Sequence, residues 1–149
     1  MTESGVNNNS LHTVIDFEDL LAQSQRMGPL PSGYRGFTWS DSAWITSKVF
    51  SESVCSGRFG LFNADGKDMT IEGKQLFDLK ELSLCALWVD KAPVAVEGWE
   101  KGIRKYATTQ TVSRASILRC ALDYRAVDRV ELKAGGKHIL VLAITVLIR

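Results

Sequence analysis

The hydrophobic positions of this chain fall in short runs, and most runs alternate apolar with polar residues rather than recurring every three or four. A period of two places successive side chains on opposite faces of a pleated strand. On that basis the chain predicts strands at 13–17, 36–39, 44–49, 59–62, 69–72, 75–79, 82–89, 94–99, 103–111, 117–122, 127–133 and 139–148. Turn-forming residues punctuate them: ADG at 64–66, EG at 72–73, DKAP at 90–93, EKG at 100–102 and AGG at 134–136. Evenly spaced short strands of this kind point to an all-β sandwich or barrel. Helix is a weaker rival at 16–26 and 112–122, where neither length nor period is pronounced. Residues 1–12, rich in Asn and Ser at their start, read as a disordered arm ahead of a single domain at 13–149.

Two of these strands differ from the rest. The run at 139–148 is apolar on both faces, yet too short to cross a bilayer as a helix, which favours a buried strand. The run at 82–89 sets Leu82, Leu84, Ala86 and Trp88 against Ser83, Cys85, Leu87 and Val89. Both sets are mostly apolar, so this strand is expected at the centre of a sheet and covered twice.

Charge narrows the partners. Eighteen Lys and Arg stand against 17 Asp and Glu, and they are scattered. Binding nucleic acid needs a basic face and an anionic membrane surface needs a basic run, so neither partner is expected. The polar first residues lack the basic start and apolar stretch of a secretory signal, so a cytoplasmic location is expected. Cys55, Cys85 and Cys120 are odd in number and match no zinc spacing. Free thiols in a reducing compartment are expected.

The order of motifs is more specific than any one of them. FEDL stands at 17–20, PLPSGYRGFTW at 29–39, GLFN at 60–63 and FDL at 77–79. LSLCALWVD follows at 82–90, VAVEGWEKG at 94–102, AVDRVEL at 126–132, then the apolar run. This succession resembles a family of small galactose-binding-like, jelly-roll domains found in fungal and bacterial proteins of unassigned function. The resemblance implies a jelly-roll β-sandwich and, by analogy, carbohydrate as a ligand class. It also implies a structural calcium held by acidic residues near the first and last strands. Here Asp16, Glu18 and Asp19 remain, but the acidic pair of the last strand is replaced by Ala143 and Ile144. Calcium takes six to eight oxygen ligands, so half a set speaks against it. No cofactor and no metal are expected.

Candidate chemistry is sparse. There is no GxSxG, HExxH or phosphate-binding glycine loop. His138, at the start of the last strand, is a candidate acid/base or hydrogen-bond donor at the mouth of the sandwich. Glu97 shares a strand face with Trp99, which places a carboxylate beside an aromatic wall. Arg58, before a buried strand, is a candidate for binding a carbonyl or carboxylate. Tyr34, Trp44, Trp88, Trp99 and Tyr106 are the candidate ligand-binding aromatics.

Three functions fit this pattern. The first is a cofactor-free cyclase or isomerase, of the Diels–Alderase type, that encloses a small, largely apolar organic substrate in natural-product biosynthesis. Such an enzyme works by folding the substrate and polarising it with one or two hydrogen-bond donors, and it leaves no motif. The second is a carbohydrate-binding, lectin-like module without catalysis. The third is a protein-interaction domain. A homodimer is compatible with all three.

Overall fold

The computed structural model describes residues 12–20, 28–46 and 60–149. Among them ten strands run in the order β1 (His12–Ile15), β2 (Gly28–Pro29), β3 (Phe37–Trp39), β4 (Ala43–Thr46), β5 (Gly60–Asn63), β6 (Met69–Ala86), β7 (Lys91–Glu100), β8 (Ile103–Ser113), β9 (Leu118–Lys133) and β10 (Ile139–Ile148). Short 3₁₀ turns follow β1 and β5 and precede β3. All pairings are antiparallel. No helix among the described residues is long and apolar enough to cross a membrane.

The two long strands make the sandwich. β6 pairs with β10 through its second half, Phe77 to Ala86, and with β3 through Ile71 to Gly73. β9 pairs with β6 along its length, but it also pairs with β7 from Arg129 to Lys133. The turn at 87–90 joins the end of β6 to the start of β7. Yet β7 lies beside the part of β9 that pairs with the opposite end of β6. So short a turn can close that path only if the β6–β9 ladder doubles back on itself. One layer is therefore β2–β4–β5–β10 with the second half of β6 and the first half of β9. The other is β3, the remaining halves of β6 and β9, β7 and β8. This is a single all-β sandwich of the jelly-roll kind.

The fold-over is written into local irregularities. Between the pairs Glu72–Arg129 and Phe77–Val127, β6 carries four residues and β9 one, so β6 bulges. Asp123 and Ala126 of β9 have left-handed backbones (φ 51° and 54°), which turn the strand. The buried Asp78 accepts the Ala126 N–H at 2.8 Å, a donor that the kink takes out of the ladder. The expectation of separate strands at 69–72, 75–79 and 82–89, and at 117–122 and 127–133, thus gives way to two continuous strands. EG at 72–73 marks a bulge, not a chain reversal.

The core lies between the layers, with Ile15, Phe17, Phe77, Leu82, Leu84, Val94, Val96, Val130 and Leu132 all buried. Tyr124 crosses it. Its hydroxyl donates to the carbonyl of Val96 at 2.8 Å and meets the Thr108 hydroxyl. A second, smaller cluster of Phe62, Cys85, Leu87 and Leu140 covers the other face of the first layer. β6 is thus central and covered on both sides, as its composition predicts, with Leu84 in one cluster and Cys85 in the other. Cys120 is free and buried, but Cys85 is disulfide-bonded, which corrects the expectation of three free thiols.

Candidate functional site

The connections 64–68, 87–90, 114–117 and 134–138 gather at the end of the sandwich away from the fold-over. They are tied together by backbone. Leu87 N–H donates to the His138 carbonyl and Arg114 N–H to the Asp90 carbonyl, each at 3.0 Å. Asn63, buried at the start of 64–68, accepts the Ile139 N–H and donates to the Lys137 carbonyl, both at 2.8 Å. Gly66 packs so closely on Gly136 that a Cβ there would stand 2.2 Å from its carbonyl oxygen.

Trp88 rises from this end. Alternation assigns it to the face of Leu84 and Ala86, but the chain leaves β6 at Ala86 and Trp88 sits in the turn. It adopts a left-handed backbone (φ 57°) and remains 47% exposed. Its ring stands edge-to-face on His138, centroids 5.2 Å apart. A bulky residue in that region costs about 1–3 kcal/mol and persists only where its surroundings hold it. The neighbouring Asp90 carboxylate pairs with Arg114 at 2.8 Å. An indole, an imidazole, a carboxylate and a guanidinium thus share one rigid end.

A second polar arrangement covers the outer face of the second layer. Register places Glu97 opposite Glu131 and Trp99 opposite Arg129. Glu97 is 6% exposed, with Arg104 Nη1 3.2 Å from Oε2 and Lys133 Nζ 3.2 Å from Oε1. Oε1 meets the Lys133 ammonium as an ion pair and has no other donor among the described residues. Burial alone would raise the Glu97 pKa, but the charges of Lys133 and Arg104 outweigh it and hold the group below the usual range. A carboxylate held in its ionised form is a hydrogen-bond acceptor at neutral pH, not a proton donor. Arg129 lies 4.6 Å over the Trp99 ring and pairs with Glu131 at 2.9 Å. Among the described residues three buried side-chain polar atoms lack a well-formed hydrogen bond: Glu97 Oε1, which has its ion pair, Trp99 Nε1 and Arg129 Nε. All three lie on this face.

The remaining candidates are dispersed. Tyr34 is buried, donates its hydroxyl to Asp19 at 2.5 Å and stacks on Phe17. Tyr106 stacks on Tyr124 with centroids 4.7 Å apart, facing the core. Trp44 lies against Phe62 beside the smaller cluster and donates to the Asp41 carbonyl at 3.1 Å. Arg58 lies outside the described residues. The fold therefore joins Trp88 to His138 and Glu97 to Trp99, and sets the two pairs apart. Sequence reasoning missed Arg129, Lys133 and Arg104. The alternation of Arg129, Glu131 and Lys133 puts them on one face, but nothing local says that β9 lies beside β7.

The acidic opening segment does meet the last strand, with Ile15 opposite Ile144. Asp16 accepts the Glu18 N–H at 3.1 Å, and Asp19 faces Tyr34 and Arg35. Among the described residues no group of three or more His, Cys, Asp or Glu is placed to hold a metal ion.

No family model and no curated protein matches this chain. Solved structures do. An agarase, AgWH50C, is similar over 84% of this chain at 12% identity, with a TM-score of 0.50. TmCBM61, solved in complex with β-1,4-galactotriose, aligns over 85% of this chain and all of its own, at 9% identity and a TM-score of 0.41. The catalytic unit of a GH87 α-1,3-glucanase from Streptomyces thermodiastaticus aligns over 93% of this chain and 26% of its own, at 15% identity and a TM-score of 0.45. The chain spans a quarter of the agarase chain, and that likeness is one of fold.

Proposed function

We propose that this protein is a carbohydrate-binding β-sandwich module, with Trp88 as the platform for a sugar ring. The observation that carries the reading is the exposed indole of Trp88, held in a left-handed turn against His138 at the loop end of the sandwich. A sugar offers an apolar face of C–H groups and a rim of hydroxyls. A rigid indole suits the first, and His138, Asp90 and Arg114 suit the second. The likeness in fold to part of an agarase is in keeping with this reading. So is the disulfide at Cys85, which favours an oxidising compartment over the cytoplasm expected from the cysteine count.

The cyclase reading draws less support. It needs an enclosed apolar chamber between the sheets, where the described residues instead pack large side chains such as Phe77, Leu79 and Leu84 against one another. A cleft of about 430 Å³ at the fold-over is open to solvent and lined mainly by charged and polar residues.

Affinity electrophoresis in gels containing galactan, agarose or α-1,3-glucan tests the proposal. At least one neutral polysaccharide is expected to retard the protein. Trp88→Ala is expected to weaken that retention by about tenfold or more, in the manner of a tryptophan hot spot, with an unchanged melting temperature. Retention by none, or equal retention of the variant, refutes it.

A further inference from the structure

The fold-over end carries a cleft of about 430 Å³, opened where the bulge of β6 parts from β9. Glu72, Lys74, Gln75, Lys101, Asp128 and Arg129 line it. Its frame is set by local contacts, with the side chains of Glu72, Lys74, Gln75 and Lys101 exposed on it. Gly73 admits no Cβ, which would stand 2.8 Å from the Gln75 carbonyl oxygen and 2.9 Å from the Phe77 ring, so the bulge is built around a glycine. Lys101 has a left-handed backbone (φ 51°), and its N–H donates to Asp128 Oδ2 at 2.9 Å, which anchors the β7–β8 turn beside the cleft. Arg129 is clamped between the Trp99 ring and Glu131. Its buried Nε lacks a partner, a cost of the sort kept at functional positions more often than in a scaffold.

The charges point to a ligand class. Three cations line the cleft; Arg129 is paired with Glu131, while the ammonium groups of Lys74 and Lys101 make no ion pair among the described residues. Asp128 holds the Lys101 N–H through one oxygen and keeps its other oxygen, so Asp128, Glu72 and the Gln75 amide all remain as hydrogen-bonding groups of the cleft. We propose that this cleft is a second ligand site that takes an acidic sugar, a uronate. Its carboxylate meets the ammonium groups of Lys74 and Lys101 beside the Glu131-paired Arg129, and its hydroxyls meet Glu72, Gln75 and Asp128. Glu72 and Asp128 repel a simple anion that brings no hydroxyls to them, and a neutral sugar leaves the ammonium charges of Lys74 and Lys101 unmatched. The site stands at the end of the sandwich opposite Trp88. It extends the carbohydrate reading in ligand class only and does not need Trp88.

Calorimetric titration of the full chain with tri-galacturonate, its methyl ester and sodium acetate tests the assignment. Tri-galacturonate is expected to bind with an affinity that falls as salt rises. The ester and acetate are expected to bind about tenfold or more weakly, since each lacks half of the recognised groups. Lys74→Gln combined with Lys101→Asn is expected to cost a similar factor, while Trp88→Ala leaves uronate binding intact. The ester comparison needs no variant and so does not depend on one folding. Equal binding of acid and ester, or acetate as tight as the uronate, overturns the proposal. So does an unaffected double variant. Loss of uronate binding in Trp88→Ala moves the acid to the other end and overturns this site alone. Retention of a neutral polysaccharide with no uronate binding does the same and leaves the Trp88 platform standing.

Discussion

Tyr34 is held by burial, by stacking on Phe17 and by its hydrogen bond to Asp19. Its phenol is pushed from 10.0 up to about 12, because burial and then the hydrogen bond to Asp19 disfavour the phenolate. As pH rises through 10 the unfolded chain gives up this proton and the folded chain keeps it. The stabilising contribution is therefore complete below pH 10 and is lost between 10 and 12. Urea denaturation at pH 8, 10 and 11.5 is expected to show the decline, and Tyr34→Phe is expected to show a shallower one. That variant also loses about 1 kcal/mol at neutral pH with the hydrogen bond. An equally steep alkaline slope in Tyr34→Phe counts against this account. At this scale the sequence supplied residue types but seldom roles. Tyr34 and Trp88 read alike as aromatics near turns, and only their surroundings make one a buried strut and the other an exposed platform.

Elements were legible wherever alternation was clean. β7 and β8 appear within three residues of their expected limits, because a strand with one buried face must keep a strict period, and β10 keeps its expected limits as an unbroken apolar run. The connection at 101–102 is a tight turn with both residues left-handed, Lys101 at 51° and Gly102 at 78°, which suits the twist of its strands. The long strands were not legible as wholes. Glycine and aspartate mark chain reversals and bulges alike, and which one forms depends on whether a partner strand continues past the irregularity. Gly98 illustrates the close packing that results. A Cβ there would stand 2.9 Å from the Tyr124 ring and 3.1 Å from Val127 across the core. Gly98→Ala is accordingly expected to destabilise the domain by about 1–3 kcal/mol, despite the better strand propensity of alanine. Unchanged or raised stability in a chemical melt would show that the layers yield more readily than these distances imply.

On the scale of the molecule, one carboxylate ties the fold-over to the end of the last strand. Asp78 binds Arg149 Nε at 2.6 Å and Nη2 at 3.2 Å, and accepts the N–H of the β9 kink at Ala126. Burial would raise its pKa, but the Arg149 bond and then the Ala126 N–H more than offset this and hold it below the ordinary 3.8. A carboxyl lowered in the folded state adds stability above its unfolded pKa and loses it as pH falls through the folded one. Guanidinium unfolding at pH 7, 4 and 3 is therefore expected to weaken below about pH 4. Asp78→Asn is expected to be weaker already at pH 7 and to lose less on acidification. An identical acid loss in the variant would place that sensitivity elsewhere.

By itself the sequence determined that this is an all-β sandwich, that β6 is covered on both faces, and that Glu97 and Trp99 share a strand face. All three follow from the period of two and from side-chain polarity, which act over neighbouring residues. Tertiary structure alone decided that β6 and β9 double back, that Arg129 and Lys133 join Glu97 and Trp99, and that Trp88 stands on His138. Those outcomes rest on which strands pair and where the ladder bends, and that is settled by the packing of residues far apart in the chain.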